Sequence, residues 1–361
     1  MECPHIANIS YAQFGERLYK QVQAKRIPVN GSIELTFRCN LRCAHCYCNL
    51  PANDQDAVKK ELKTEGIFHI FDQIAEAGCL WLLITGGEPL LRQDFLEIYM
   101  YAKKKGFITT LFTNGTLITP EIADYLAEWP PHSVEITLYG ATKETYERVT
   151  KISGSYERCK KGIGLLLERE IPLGLKTMVM TLNHDEVSHI KEYAEGLGVK
   201  FRFDPILNPR LDGNKTPCNF RLSPEEVIKL DLADEKRAKQ WREYCEKFVR
   251  PFQSDSLFIC GAGISTFHID PYGKMSPCEM TRFQDYDLPS GSFEEGWYES
   301  IPGLLMLKSM GDYPCGRCEL ISLCGQCPAW AWLENGNPEA PVEYLCQIAH
   351  LRAQAFNTMK S

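Results

Sequence analysis

Ten cysteines in this sequence stand in two spaced groups, and their spacing is that of metal or cluster ligation. The first group lies in Phe37-Arg38-Cys39-Asn40-Leu41-Arg42-Cys43-Ala44-His45-Cys46-Tyr47, where three residues and then two separate the thiols. Three thiolates on one tight loop can hold three corners of a cubane iron–sulfur cluster and leave the fourth iron without a protein ligand. An open position on a metal is where a substrate or cofactor binds, as in catalytic zinc sites. Three buried structural cysteines or a zinc site are the alternatives, although zinc usually recruits four ligands at two-residue spacings.

The second group occupies the C-terminal third. Cys260 is followed by twelve residues, Gly273, four residues and Cys278; then come Cys315-x2-Cys318-x5-Cys324-x2-Cys327 and Cys346. Asp270-Pro271-Tyr272-Gly273, between Phe267–Ile269 and Lys274–Ser276, reads as a hairpin turn that brings Cys260 and Cys278 close. Cys315 and Cys318 flank a Gly-Arg pair, a tight loop like those of zinc ribbons and ferredoxins. A four-thiolate zinc ribbon is the competing reading.

Elements that can position such loops are visible in the periodicity. Strand candidates are Ile33–Phe37, Trp81–Thr85, Thr109–Thr113, Val134–Leu138, Leu173–Met180 and Lys200–Asp204. Helical patterns lie between them near 65–77, 94–105, 120–128, 155–168 and 185–196. Alternation of this kind implies a parallel sheet with right-handed crossovers, here an α/β partial (β/α)6 barrel of the TIM type. Cys39 then falls just after the first strand, at the end where barrels carry their chemistry. Residues 1–30 form an N-terminal extension, 31–208 the barrel, and 209–255 a helical linker in which Ser223 caps a helix starting at Pro224. Residues 256–361 read as a small Cys-rich α+β domain held by ligands more than by apolar burial.

Composition narrows the function. The chain has 361 residues, 44% of them apolar, with 40 Lys+Arg against 47 Asp+Glu and a formal net charge of −7. That length supports a real core. The acidic balance argues against a nucleic-acid partner, and Lys103-Lys104-Lys105 reads as a solvated helix end. No apolar run is long enough for a membrane span, and no signal peptide is seen, so a cytoplasmic location is expected. In a reducing compartment disulfides are uncommon, which leaves ligation to explain most of the 16 cysteines.

The first cysteine loop, with Tyr47 directly after Cys46, resembles the signature of the radical S-adenosylmethionine (SAM) superfamily. Thr85-Gly86-Gly87-Glu88-Pro89 resembles the family's GGEP motif, Thr113-Asn114-Gly115 its TNG motif, and Ile136-Thr137-Leu138-Tyr139-Gly140 its ISLDG motif. The resemblance spans roughly residues 30–210. It implies that Cys39, Cys43 and Cys46 hold a [4Fe-4S] cluster whose free iron is chelated by SAM. Reductive cleavage then yields a 5′-deoxyadenosyl radical that abstracts a substrate hydrogen atom. Tyr47, Gly86, Gly87, Glu88, Pro89, Asn114, Thr137, Arg148 and Lys176 would lie around SAM. Glu88 and backbone carbonyls would accept from its ammonium, and Arg148 would pair with its carboxylate.

The second group resembles the SPASM module, which supplies auxiliary four-iron clusters. By that likeness Cys315, Cys318, Cys324 and Cys346 hold one cluster, and Cys260, Cys278 and Cys327 hold another. The family more often has three residues where Cys324 and Cys327 are separated by two. The second set lacks a fourth ligand; either Cys245 reaches in or the site is open. Glu279 stands where sulfatase-maturating relatives carry a catalytic Asp and would take a proton from the oxidised substrate.

The resemblance implies peptide modification, by oxidation or crosslinking of a ribosomally made peptide. A flavodoxin or ferredoxin would donate electrons. Only about 30 residues precede the first strand, so peptide recognition would need a separate protein or another surface. The alternatives are a small-molecule or tetrapyrrole precursor as substrate, and a non-catalytic iron–sulfur electron carrier.

Overall fold

The computed structural model describes residue 17 and residues 20–356. Cys3 and most of the N-terminal extension fall outside them. Six parallel strands build the barrel: β1 (Asn30–Glu34), β2 (Trp81–Thr85), β3 (Ile108–Thr113), β4 (Ser133–Thr137), β5 (Leu173–Met178) and β6 (Lys200–Asp204). Each pairs with the next in sequence order. The crossovers run through α1 (Thr64–Glu76), α2 (Phe95–Lys104), α3 (Pro120–Glu128), α4 (Lys143–Thr150), α5 (Ser155–Leu167) and α6 (Val187–Gly196).

Alternate strand residues separate two environments. Ile33, Leu82, Ile84, Leu111, Val134, Ile136 and Leu175 pack with Phe71, Ile74, Ile98, Leu126 and Ile163 of the helices in one core. Each such buried side chain contributes roughly 1.5–3 kcal/mol. The intervening positions, Ser32, Glu34, Phe112, Glu135, Thr137, Lys176 and Arg202, line the opposite face, inside the curved sheet. Apart from Phe112, that face is polar and charged.

Two expectations shift. The first strand ends at Glu34, because residues 35–38 form the stem of the cysteine loop: Leu35 N donates to Thr85 O at 2.9 Å, and Leu50 N donates to Phe37 O at 2.8 Å. Helix α4 was not anticipated, since Lys-Glu-Thr-Tyr-Glu-Arg-Val-Thr offers only Tyr146 and Val149 as apolar positions. Ser223 caps α7 (Pro224–Ala233) as expected, in a reciprocal box with Glu226. Helix α8 (Glu235–Phe248) follows.

The predicted hairpin is present as β7 (Thr266–Ile269) and β8 (Lys274–Ser276), turned at Gly273 with φ +84°. It does not stand apart from the barrel. Strand β7 pairs in parallel with β1, Ser32 against His268 and Ile33 against Ile269. With β9 (Tyr286–Asp287), one sheet of nine strands runs in the order β9-β8-β7-β1-β2-β3-β4-β5-β6. Helices α9 (Pro328–Asn335) and α10 (Glu343–Ala355) complete the C-terminal region, and α10 packs on α7.

Candidate active site

The first cysteine loop leaves the C-terminal end of β1 and is fastened on three sides. Arg42 N and Ala44 N donate to Thr150 O and Val149 O at the end of α4, at 2.9 and 3.0 Å. Arg210 donates to Cys46 O at 3.1 Å and to Asn49 Oδ1 at 2.8 Å. Leu211 N donates to Tyr47 O at 2.9 Å. Neither α4 nor Arg210 carried a motif, so the sequence offered no signal for them.

The GGEP segment supplies the third fastening. Gly87 N donates to Thr36 O at 2.7 Å, and Glu88 N to Arg38 O at 2.9 Å. A Cβ on Gly86 or Gly87 would meet the backbone oxygens of Thr36 or Arg38, and Gly86 has φ +135°. Both glycines are thus needed for loop against loop. Glu88 is fully buried and accepts from Thr113 Oγ1 at 2.8 Å, Leu90 N at 3.1 Å and Asn114 N at 2.7 Å. Burial nonetheless raises its pKa to about 7. With its carboxylate committed to the TNG motif, the acceptors that this segment offers an ammonium are its carbonyls.

Asn114 reaches the cluster loop directly. Its Nδ2 donates to Asn40 Oδ1 at 2.9 Å and lies 3.7 Å from Cys39 Sγ, and Leu41 N lies 3.4 Å from the same sulfur. Hydrogen bonds of this kind tune cluster thiolates. Burial, with the Glu88 charge next, pushes the Cys39 thiol up to about 12. Burial and repulsion from Cys46 and Cys39 push Cys43 well above the usual thiol range. The Cys48 thiol bonds to Cys46 and holds it down at about 7. Three sulfurs that repel one another as thiolates in a buried loop form a donor set for a multiply charged metal group.

Tyr139, from the ISLDG-like motif, stands beside Cys43, and its ring meets His45 edge-on with centroids 4.9 Å apart. Burial alone lowers His45 to about 4. Thr137 and Lys176 are register partners on β4 and β5, and Lys176 and Arg202 on β5 and β6. Lys176 Nζ lies over the Phe112 ring at 2.9 Å; burial, then Arg202, lowers its pKa to about 7. Arg148 donates to Leu182 O at 2.6 Å and Thr145 Oγ1 at 3.1 Å. Glu279 is exposed, and its charge is felt at both Tyr47 and Lys176.

The resemblance implied two sets of C-terminal cysteines, each with its own surroundings. Cys315, Cys318, Cys324 and Cys346 line one cavity with Leu320 and Ile321 among its apolar walls. Cys260 and Cys278 both act on Cys327, which burial raises to about 11. Cys327 is the N-cap residue of α9. Cys278 Sγ lies 3.3 Å from Thr281 Oγ1. Cys245 is buried on α8 against Leu320, Leu323, Cys318 and Cys324, beside the four-thiol cavity and away from the three-thiol group. All fifteen described cysteines are free thiols.

Among the described residues no three Cys, His, Asp or Glu side chains converge on a point that one metal ion could fill. Zinc requires four sulfurs about 2.3 Å from a single centre. The larger iron–sulfur cubane spreads its cysteines farther apart than a single zinc ion does.

With the site assembled, comparison with known proteins gives its class. Residues 33–195 match the family model of the Radical SAM superfamily. Proteins of that superfamily use SAM and a [4Fe-4S] cluster. Among its relatives, the AdoMet-dependent heme synthase of Methanosarcina barkeri is 28% identical over 325 residues, spanning 84% of this chain and 92% of that protein. The PqqA peptide cyclase of Rhizobium meliloti is 28% identical over 323 residues, spanning 82% of this chain and 84% of that one. The fold is that of Streptococcus suis SuiB bound to its precursor peptide SuiA, with TM-score 0.69 and 17% identity, covering 96% of this chain and 84% of SuiB. No described helix is long and apolar enough to cross a membrane.

Proposed function

We propose that this radical SAM enzyme oxidises or crosslinks a ribosomally made peptide. The observation that carries the reading is the three-thiol loop at the end of β1, with the Cys260–Cys278 hairpin paired beside that same strand. The similarity to PqqA peptide cyclase supports a peptide as substrate. When bound, the first cluster and SAM supply a 5′-deoxyadenosyl radical for hydrogen abstraction.

The chain's residues would do the rest. Cys39, Cys43 and Cys46 hold the first cluster, and Asn114 donates toward Cys39. Gly86, Gly87 and Pro89 shape the wall that receives SAM, with Tyr47 and Thr137 beside it. Lys176, beside Phe112 and next to Arg202 in register, is a candidate to contact substrate or SAM. Glu279 would accept a proton from the oxidised substrate. Cys315, Cys318, Cys324 and Cys346 hold an auxiliary cluster with all positions filled, suited to passing electrons. Cys260, Cys278 and Cys327 leave one position of the other open. An external one-electron donor such as flavodoxin or ferredoxin, and a separate peptide-recognition protein, belong to the same proposal.

Anaerobic reconstitution, dithionite reduction and addition of SAM should yield 5′-deoxyadenosine. A deuterated candidate peptide should pass its label into that product. No 5′-deoxyadenosine from a protein with intact clusters would remove the radical reading. The heme synthase similarity, over 92% of that protein, favours a tetrapyrrole precursor as the second reading; label transfer from a tetrapyrrole and none from peptides would select it.

A further inference from the structure

One buried carboxylate is unused by the chemistry above, yet it touches both cysteine regions. Glu34, the last residue of β1, has a fully buried side chain. Its Oε1 accepts from the Tyr47 hydroxyl at 3.1 Å, and Tyr47 directly follows Cys46. Its Oε2 faces His268 Nε2 at 3.2 Å and the Arg282 guanidinium at 3.4 Å. His268 lies on β7, with Nδ1 2.9 Å from Ser32 Oγ. Arg282 follows Cys278 by four residues and also pairs with Asp270 of the hairpin turn at 3.2 Å. Burial alone would raise the Glu34 carboxyl, but His268, Arg282 and Tyr47 together hold it below the ordinary carboxylate range.

We propose that Glu34 is a positioning residue, a latch that ties the radical-cluster loop through Tyr47 to the auxiliary hairpin through His268 and Arg282. It fixes the attitude of the first cluster relative to the Cys278 site, so a change at the auxiliary hairpin is transmitted to the loop bearing Cys46. The argument is one of connectivity. Strand pairing sets β7 beside β1, but the tip of the cysteine loop lies beyond the last paired residue. Glu34 supplies the tie there. A buried carboxylate with three partners has few alternative arrangements, because losing any partner leaves an uncompensated charge or an unpaired donor. The inference rests on the cluster assignment proposed above.

The test uses the full chain, reconstituted anaerobically, as Y47F, R282M, the double variant Y47F/R282M, and E34Q. Iron content and thermal midpoint serve as controls, and the readouts are the first cluster's midpoint potential and its reduced spectrum with SAM added. Expected results are near-normal iron in R282M, together with a shift of the first cluster's potential and spectrum in the direction seen for Y47F. The double variant should shift them no further than the larger single change, since both cut one connection. Arg282→Lys should restore part of the shift. A first cluster in R282M identical to the parent's, or additive shifts in the double variant, would overturn the latch. Should E34Q fail to fold, Y47F and R282M still decide. Failure of the cluster assignment looks different: Cys39, Cys43 and Cys46 replaced together by Ala would then keep all their iron.

Discussion

His45 lies between two of the cluster thiols, buried, with Nδ1 lacking a hydrogen-bond partner among the described residues. Its pKa in the fold, about 4, lies below the ordinary value of 6.5. The unfolded chain therefore takes up a proton first as pH falls, and stability present above 6.5 is lost on the way down to 4. By pH 5 the loss is about 2 kcal/mol. Denaturant unfolding at pH 7 and pH 5 should show it, and His45→Phe should flatten the difference. Glu88 makes a complementary case. Glu88→Gln would turn an amide N–H toward Asn114 N–H or toward the two donors on Oε1, at a cost of roughly 1–3 kcal/mol. A lower thermal midpoint with iron retained at first loading is the expected result; an unchanged midpoint would mean that the TNG contacts do not carry stability. At this scale the ligand cysteines were readable from spacing. Glu34 and Arg210 were not, because single residues that act through burial and long-range pairing leave no local pattern.

Elements show how motifs of similar clarity can differ in use. The GGEP segment reads as a ligand motif, yet its glycines face the Thr36–Arg38 backbone and its glutamate braces Asn114. The loop it supports serves the cluster as much as SAM. The six barrel strands and the hairpin were legible because each is a short apolar run bounded by turn residues. Helix α4 escaped because its eight residues are mostly polar and its role, accepting from Arg42 and Ala44, is played by main-chain carbonyls. The C-terminal loops allow a direct count. Replacing Cys315, Cys318, Cys324 and Cys346 together by Ala should remove about four of about twelve irons and leave SAM cleavage at the first cluster measurable. Zinc in place of iron in the parent protein would defeat the auxiliary-cluster assignment.

Across the whole molecule, a change in residue texture near Cys260 suggested a separate module, and at the level of the sheet it is not separate. The cysteine pattern marks a change of ligand chemistry, whereas strand pairing follows main-chain hydrogen bonds that composition does not display. Strand β1 lies between β2 and β7, so cutting the chain after residue 255 would turn it into an edge strand with Glu34 stripped of His268 and Arg282. An exposed edge with an unpaired charge favours aggregation. Residues 1–255 alone should therefore elute as aggregates in size-exclusion chromatography, whereas an independent barrel would elute as a monomer.

The pairing of β7 with β1 also bears on how such enzymes can be recombined. A chimera that exchanges C-terminal regions between relatives at the linker would join strands whose facing side chains were never matched. The exchangeable unit must carry Ser32 and Glu34 along with His268 and Arg282, although more than two hundred residues of chain lie between them. Swapped auxiliary modules should work when that quartet travels intact, whatever the linker sequence.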